Sequence, residues 1–222
     1  MDNIDPHSHT EFPDFLTQEE CAYITEILLR DEHKILSIPN PNDNSFYKGT
    51  TKQYSVYNLL THADIRILNI PDRIFALPIF TPTATEWYDE LWVQCWGNIL
   101  HQNQSIDTHT HADSEHQNKL IACSIYLDGL DPTYTHWNGT PQENVRGTLH
   151  VAGMLYPHEV KQNIHTTPRI SIAFDIYSQH EEPLNNTKRF LHIKRPTHHS
   201  VDHIRRQRGA GIPISHIKGH GI

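Results

Sequence analysis

The sequence predicts a mainly β protein, a sandwich or jelly-roll barrel with an N-terminal helix or helices laid on one side. Three observations carry that expectation. One capped, amphipathic stretch stands near the N-terminus. Several later stretches are short, rich in β-branched or aromatic residues, and bounded by Pro, Gly, Asn or Asp. Helical patterning between them is scarce, so the βα alternation of a parallel sheet is absent. With 222 residues, the chain suits one domain with a tail. We place the barrel and its helical support in residues 1–180 and a basic extension in residues 181–222.

Taken in order, PDFLTQEECAYITEILLRDE reads as a helix. Thr17 and Glu20 have capping-box spacing, and Ala22, Ile24, Ile27 and Leu28 recur near the helical period. Residues 38–52 hold Pro39, Pro41, three asparagines and Gly49, a loop composition. Strands are expected at YSVYNLL, LWVQCWGNIL, KLIACSIYL, GTLHV with GMLY, and RISIAFDIY. Beyond Tyr177 the chain is polar and punctuated by Pro and Gly, and only FLHI offers a further strand.

Composition limits the partners. Lys plus Arg total 18 against Asp plus Glu 26, a formal charge of −8. From Glu181 onward eight basic residues face three acidic ones, which leaves −13 on the first 180. A polyanion is not the default partner of such a body, and nucleic acid enters only through the basic tail. No run of 18 apolar residues exists and no basic start precedes an apolar stretch, so neither membrane spanning nor secretion is expected. Three separated cysteines, Cys21, Cys95 and Cys123, suit reduced thiols in a cytoplasmic compartment.

Nineteen histidines outnumber all Lys and Arg together, so only placement relative to strands can say which of them matter. In RISIAFDIY, alternation sends Arg169, Ser171, Ala173 and Asp175 to one face and Ile170, Ile172, Phe174 and Ile176 to the other. A guanidinium and a hydroxyl facing a barrel interior are costly unless an anion pairs with them. Eleven residues before Arg169 lies His158, and 47 before that is His111, in a His-x-Asp pair with Asp113. Two imidazoles and a carboxylate form the facial triad that holds non-haem Fe(II) and leaves three positions open. His109 is an alternative to either member of the pair, and His165, four residues before Arg169, competes with His158.

With these residues in place the chain resembles the 2-oxoglutarate and Fe(II)-dependent oxygenases, in particular small bacterial and phage members of prolyl-hydroxylase-like type. The matching segments are WGN at 96–98, HTHAD at 109–113, the strand ending at Leu127, YPHEV and RISIAFD, with FLTQEEC resembling the helix entry before such a barrel. The resemblance implies a double-stranded β-helix and a dioxygenase using Fe(II), 2-oxoglutarate and dioxygen on an unidentified prime substrate. It implies iron held by His111, Asp113 and His158, and the distal carboxylate of 2-oxoglutarate held by Arg169 and Ser171. Asn98 and Tyr126 stand beside them as candidate co-substrate contacts, and Tyr156 ranks with Tyr126.

Each motif has a blander counterpart. A His-x-Asp pair arises by chance in a histidine-rich chain, strand tyrosines usually pack, and the four tryptophans are core or pocket-rim residues by default. Trp137 is expected in a polar loop at the substrate entrance. Two rival functions remain: a cupin-like Zn or Mn isomerase or hydrolase, and a non-catalytic jelly-roll binding module.

Overall fold

The computed structural model describes residues 5–39, 57–66, 68–77, 79, 90–112, 119–129, 132–178 and 190–194. Its order is β1 (His9–Phe12), α1 (Gln18–Leu36), α2 (Ala63–Arg66), α3 (Ile70–Phe75), β2 (Glu90–Leu100), β3 (Ile106–His109), β4 (Lys119–Asp128), β5 (Tyr134–Trp137), β6 (Thr140–Glu143), β7 (Leu149–Gly153), β8 (His158–Val160), β9 (Arg169–Tyr177) and β10 (Leu191–Lys194).

Among the described residues, ten strands form two antiparallel sheets. The larger runs β1-β7-β4-β9-β2-β10 and the smaller β3-β8-β5-β6. The core lies on the helical side of the larger sheet. There Ile170, Ile172, Phe174 and Ile176 of β9 meet Ile24, Ile27 and Leu28 of α1. Helix α1 begins as expected, with Thr17 accepting from Glu20 N while the Glu20 carboxylate accepts from Thr17 N. Gly97 lets the helix settle on β2, since a methyl group there would lie 2.5 Å from a Leu28 terminal carbon.

Several local expectations are corrected. The stretch at 54–60 lies partly outside the described residues, and Leu59–Thr61 form a 3-10 turn rather than a strand. Asn58 causes this, because its side-chain oxygen accepts from Leu60 N and its amide donates to Val93 O. GMLY contributes only Gly153 to a strand, and a turn follows. Trp137 is buried at the end of β5, where Asn138 and Gly139, both at positive φ, make the two-residue turn into β6. The short helices α2 and α3 precede β2 and join α1 as N-terminal helical support. Residues 40–52 of the expected loop and 195–222 of the extension lie outside the described residues, while β10, from the extension, pairs with β2.

Candidate metal and co-substrate site

The face of the larger sheet turned away from the core carries its polar residues. Strand register sets Asp175 beside Gln94 and Ala122, and Ser171 beside Asn98 and Tyr126. The smaller sheet closes over this face. Between the sheets lies a cavity of about 180 Å³, lined on one side by Asn98, Ser171 and Asp175 and on the other by Thr135, Trp137 and His158.

At one end three imidazoles converge. His109 and His158 are cross-strand partners of β3 and β8. His111 follows β3, held by its backbone N–H donating to Met154 O. One ring nitrogen from each of His109, His111 and His158 lies within 4.8 Å of the others. The Nδ1 atoms all face oxygen: His109 Nδ1 is 2.8 Å from Asp107 O, His111 Nδ1 is 2.7 Å from Asp175 Oδ1, and His158 Nδ1 is 3.5 Å from Tyr156 O. For His111 the buried Asp175 carboxylate holds the proton on Nδ1 and leaves Nε2 turned toward the cavity. His111 Nε2 and His158 Nε2 stand 3.4 Å apart. Burial, with the neighbouring His111 and His109, holds His158 well below the ordinary imidazole range, so it remains neutral and able to ligate.

Asp175, buried beneath His111, is the carboxylate that orients this ring and also accepts from the Tyr177 hydroxyl at 3.4 Å. Cys123 lines the same cavity, but burial and the nearby Asp175 keep its thiol protonated, so it offers no thiolate at neutral pH.

Arg169 lies elsewhere along the cavity wall, 6 % exposed. Its guanidinium donates to Thr135 Oγ1 at 3.0 Å and to Ser171 Oγ at 3.3 Å, and its Cζ sits 5.6 Å from the centre of the Tyr126 ring. Among the described residues no carboxylate pairs with it, and its Nε has no hydrogen-bond partner. Burial lowers its pKa to about 10, which still leaves it charged at neutral pH. A buried, charged fork held by two hydroxyls fits an anionic ligand. The donor chemistry at both places thus fits a divalent cation and a carboxylate co-substrate.

The structure therefore brings together His109, His111, His158, Arg169, Ser171 and Asn98 around one cavity. Asp113, like Trp87 and His116, lies outside the described residues. His165 is exposed and away from the cavity lining. Tyr126 packs under Arg169, and Tyr156 packs against His9 at 5.7 Å. Glu159 turns away and pairs with Lys161 at 2.6 Å. Sequence reasoning missed Thr135 and the role of Asp175. Asn138-Gly139 between two apolar-polar alternations was the hairpin signal that would have placed Thr135 on a strand.

No protein-family model matches the chain, and no curated protein matches it in sequence. Solved structures do match in fold. A Pseudomonas putida prolyl-4-hydroxylase superposes with TM-score 0.50 at 13% identity, covering 78% of this chain and 94% of its own. The non-heme monooxygenase ThoJ, in a nickel complex, gives TM-score 0.52 at 14% identity, covering 91% and 95%. HygX from Streptomyces hygroscopicus, with nickel and 2-oxoglutarate bound, gives TM-score 0.51 at 11% identity, covering 78% and 83%. The chain has the double-stranded β-helix fold that the 2-oxoglutarate and Fe(II) oxygenases among these structures share.

Proposed function

We propose that the protein is an Fe(II)- and 2-oxoglutarate-dependent dioxygenase acting, by hydroxylation, on a prime substrate that nothing in the chain identifies. The observation that carries this reading is one cavity holding three converging imidazoles and a buried guanidinium that has no carboxylate partner among the described residues. When bound, Fe(II) and 2-oxoglutarate supply oxidative decarboxylation to succinate and carbon dioxide, coupled to oxidation of the second substrate by dioxygen. His111 and His158 hold the metal with Asp113 as the carboxylate, and His109 is the alternative third donor. Arg169 binds the distal carboxylate of 2-oxoglutarate, Ser171 and Thr135 fix the guanidinium plane, and Asn98 lines the space between. Asp175 keeps the His111 proton on Nδ1. The cavity is smaller than drug-sized pockets of roughly 300–1,000 Å³, which suits a small dicarboxylate. Three buried, free thiols fit a reducing, cytoplasmic setting, and among the described residues no helix is long and apolar enough to cross a membrane.

The test is anaerobic addition of Fe(II) and 2-oxoglutarate with visible absorption as readout. A metal-to-ligand charge-transfer band is expected. In Arg169→Met the 2-oxoglutarate concentration needed for that band rises at least about thirtyfold, the loss expected when one partner of a buried charge pair is removed. No band from protein with native far-UV dichroism would overturn the proposal. The three-imidazole set also matches the donors of a catalytic zinc site, which favours the Zn isomerase or hydrolase as the second reading. Succinate formation that requires oxygen separates the two.

A further inference from the structure

We propose a second cation site, for a borderline divalent ion of the Zn(II) type, formed by His9, Glu11 and His150 at the sheet edge where β1 joins β7. It shares no residue with the first site and does not depend on the oxygenase reading. Antiparallel register puts Glu11 opposite His150 and His9 opposite Ala152, so alternation along β1 sends His9 and Glu11 to the face that His150 occupies. His9 Nε2 lies 3.3 Å from His150 Nδ1, and with the Glu11 carboxylate the donor atoms all fall within 4.8 Å. A tetrahedral ion with Zn–N bonds of about 2.0–2.1 Å holds two ligand nitrogens about 3.4 Å apart. The pair is already at ligand spacing.

Two further observations favour a built site over a chance surface cluster. His150 is 2 % exposed, its Nδ1 is turned to His9, and its Nε2 has no partner among the described residues, so the polarity of a buried ring rests on the edge that faces the other donors. The strand that brings His9 and Glu11 is also fixed. Gly153 N donates to Ser8 O at 2.9 Å and Leu155 N to Pro6 O at 3.0 Å. A methyl group on Gly153 would come within 2.4 Å of the Asp5 and Pro6 backbone. The His9 ring is held against the Trp137 indole at 4.4 Å, and that indole also touches His158 at 4.7 Å. Two imidazoles and a carboxylate, one ligand buried and one exposed, suit an ion that keeps a water as its fourth partner and clips the N-terminal strand to the barrel.

Metal-free full-length protein is dialysed against Zn(II), and tightly bound zinc is counted by elemental analysis beside His9→Ala, Glu11→Gln, His7→Ala and His111→Ala. The His9→Ala variant is expected to hold one zinc fewer than the wild type, and His7→Ala the same number as the wild type. His111→Ala is expected to lose a different equivalent, so the His9→Ala/His111→Ala double variant lacks both. Glu11→Gln changes an exposed group, keeps the test open if His9→Ala fails to fold, and is expected to weaken that equivalent more than about tenfold, a loss that even an outer-sphere partner can cause. Zinc is also expected to raise the melting temperature of the wild type more than that of Glu11→Gln. Unchanged zinc content in folded His9→Ala overturns the proposal, as does unchanged affinity and thermal shift in Glu11→Gln. Equal loss in His7→Ala and His9→Ala overturns it too, because that marks solvated histidines and not a site.

Discussion

Asp175 decides which nitrogen of His111 is available. Its Oδ1 accepts from His111 Nδ1 at 2.7 Å inside a buried wall, so the imidazole presents Nε2 to the cavity in one orientation. Replacing the carboxylate with an amide of the same shape keeps an acceptor but removes the charge that raises the basicity of the ring. Asp175→Asn is therefore expected to weaken Fe(II) or Ni(II) binding about 10- to 100-fold with little change in folding. Metal titration of the folded variant checks this, and undiminished affinity would remove His111 from the ligand set. The inward direction of Asp175 was legible in the sequence, since strict alternation in β9 put Arg169, Ser171, Ala173 and Asp175 on one face. Its partner was not. His111 lies 64 residues away and past the end of β3, and no period fixes which residue of an irregular segment lands above a given strand position.

Gly147 couples helix α1 to the sheet. Its N–H donates to Tyr126 O at 3.0 Å, and its carbonyl accepts from Leu16 N at 3.0 Å, just before the Thr17 cap. The residue has φ +83, and a methyl group would lie 2.2 Å from Leu16 O. Gly147→Ala therefore carries both a left-handed backbone cost and a clash against backbone, expected to total about 2–4 kcal/mol. Gly139 is the control. Its φ is +77, but nothing lies within 4 Å of the added carbon, so Gly139→Ala is expected to cost only about 1 kcal/mol. Urea unfolding of both variants measures the difference, and equal losses would show that the contact with Leu16 carries no weight. Elements were readable where the pattern was long. Helix α1, with its capping box, and strands β2, β4 and β9 stand where periodicity put them. Strands β3, β5, β6 and β8 have three or four residues each, too few for a period to declare itself; β5 and β6 pair through their own two-residue turn, while β3 and β8 come together only as the barrel closes. The turn at Leu59–Thr61 went the other way, since a run of strand-forming residues yields to one asparagine that caps the turn and reaches β2.

At the scale of the whole molecule, acid stability follows from where the imidazoles sit. The inner face of the larger sheet and the smaller sheet together bury His150 and His158, and burial lowers the affinity of both for a proton. For His150 the pKa falls to about 4, with His9 and Arg169 nearby adding like-charge repulsion to desolvation. In the unfolded chain the same ring titrates near 6.5. Between these values the unfolded state takes up a proton that the folded state refuses, so stability falls as pH drops from about 6.5 toward about 4 and this contribution levels off below that. At about 1.4 kcal/mol per pH unit, the ring accounts for up to about 3 kcal/mol over the interval. Paired carboxylates act in a different window. Asp31, held down by Arg30 and Lys34, loses its contribution only as pH falls below the ordinary carboxylate value near 4. The decline above pH 4 thus belongs to buried imidazole, and in metal-free protein His150→Gln, which keeps a polar group but does not titrate, is expected to flatten it by about that amount. Unfolding by urea at several values from pH 7 to 4 measures the slope, and an unchanged slope in the variant would place His150 in water while the protein is folded, contrary to its position under β1.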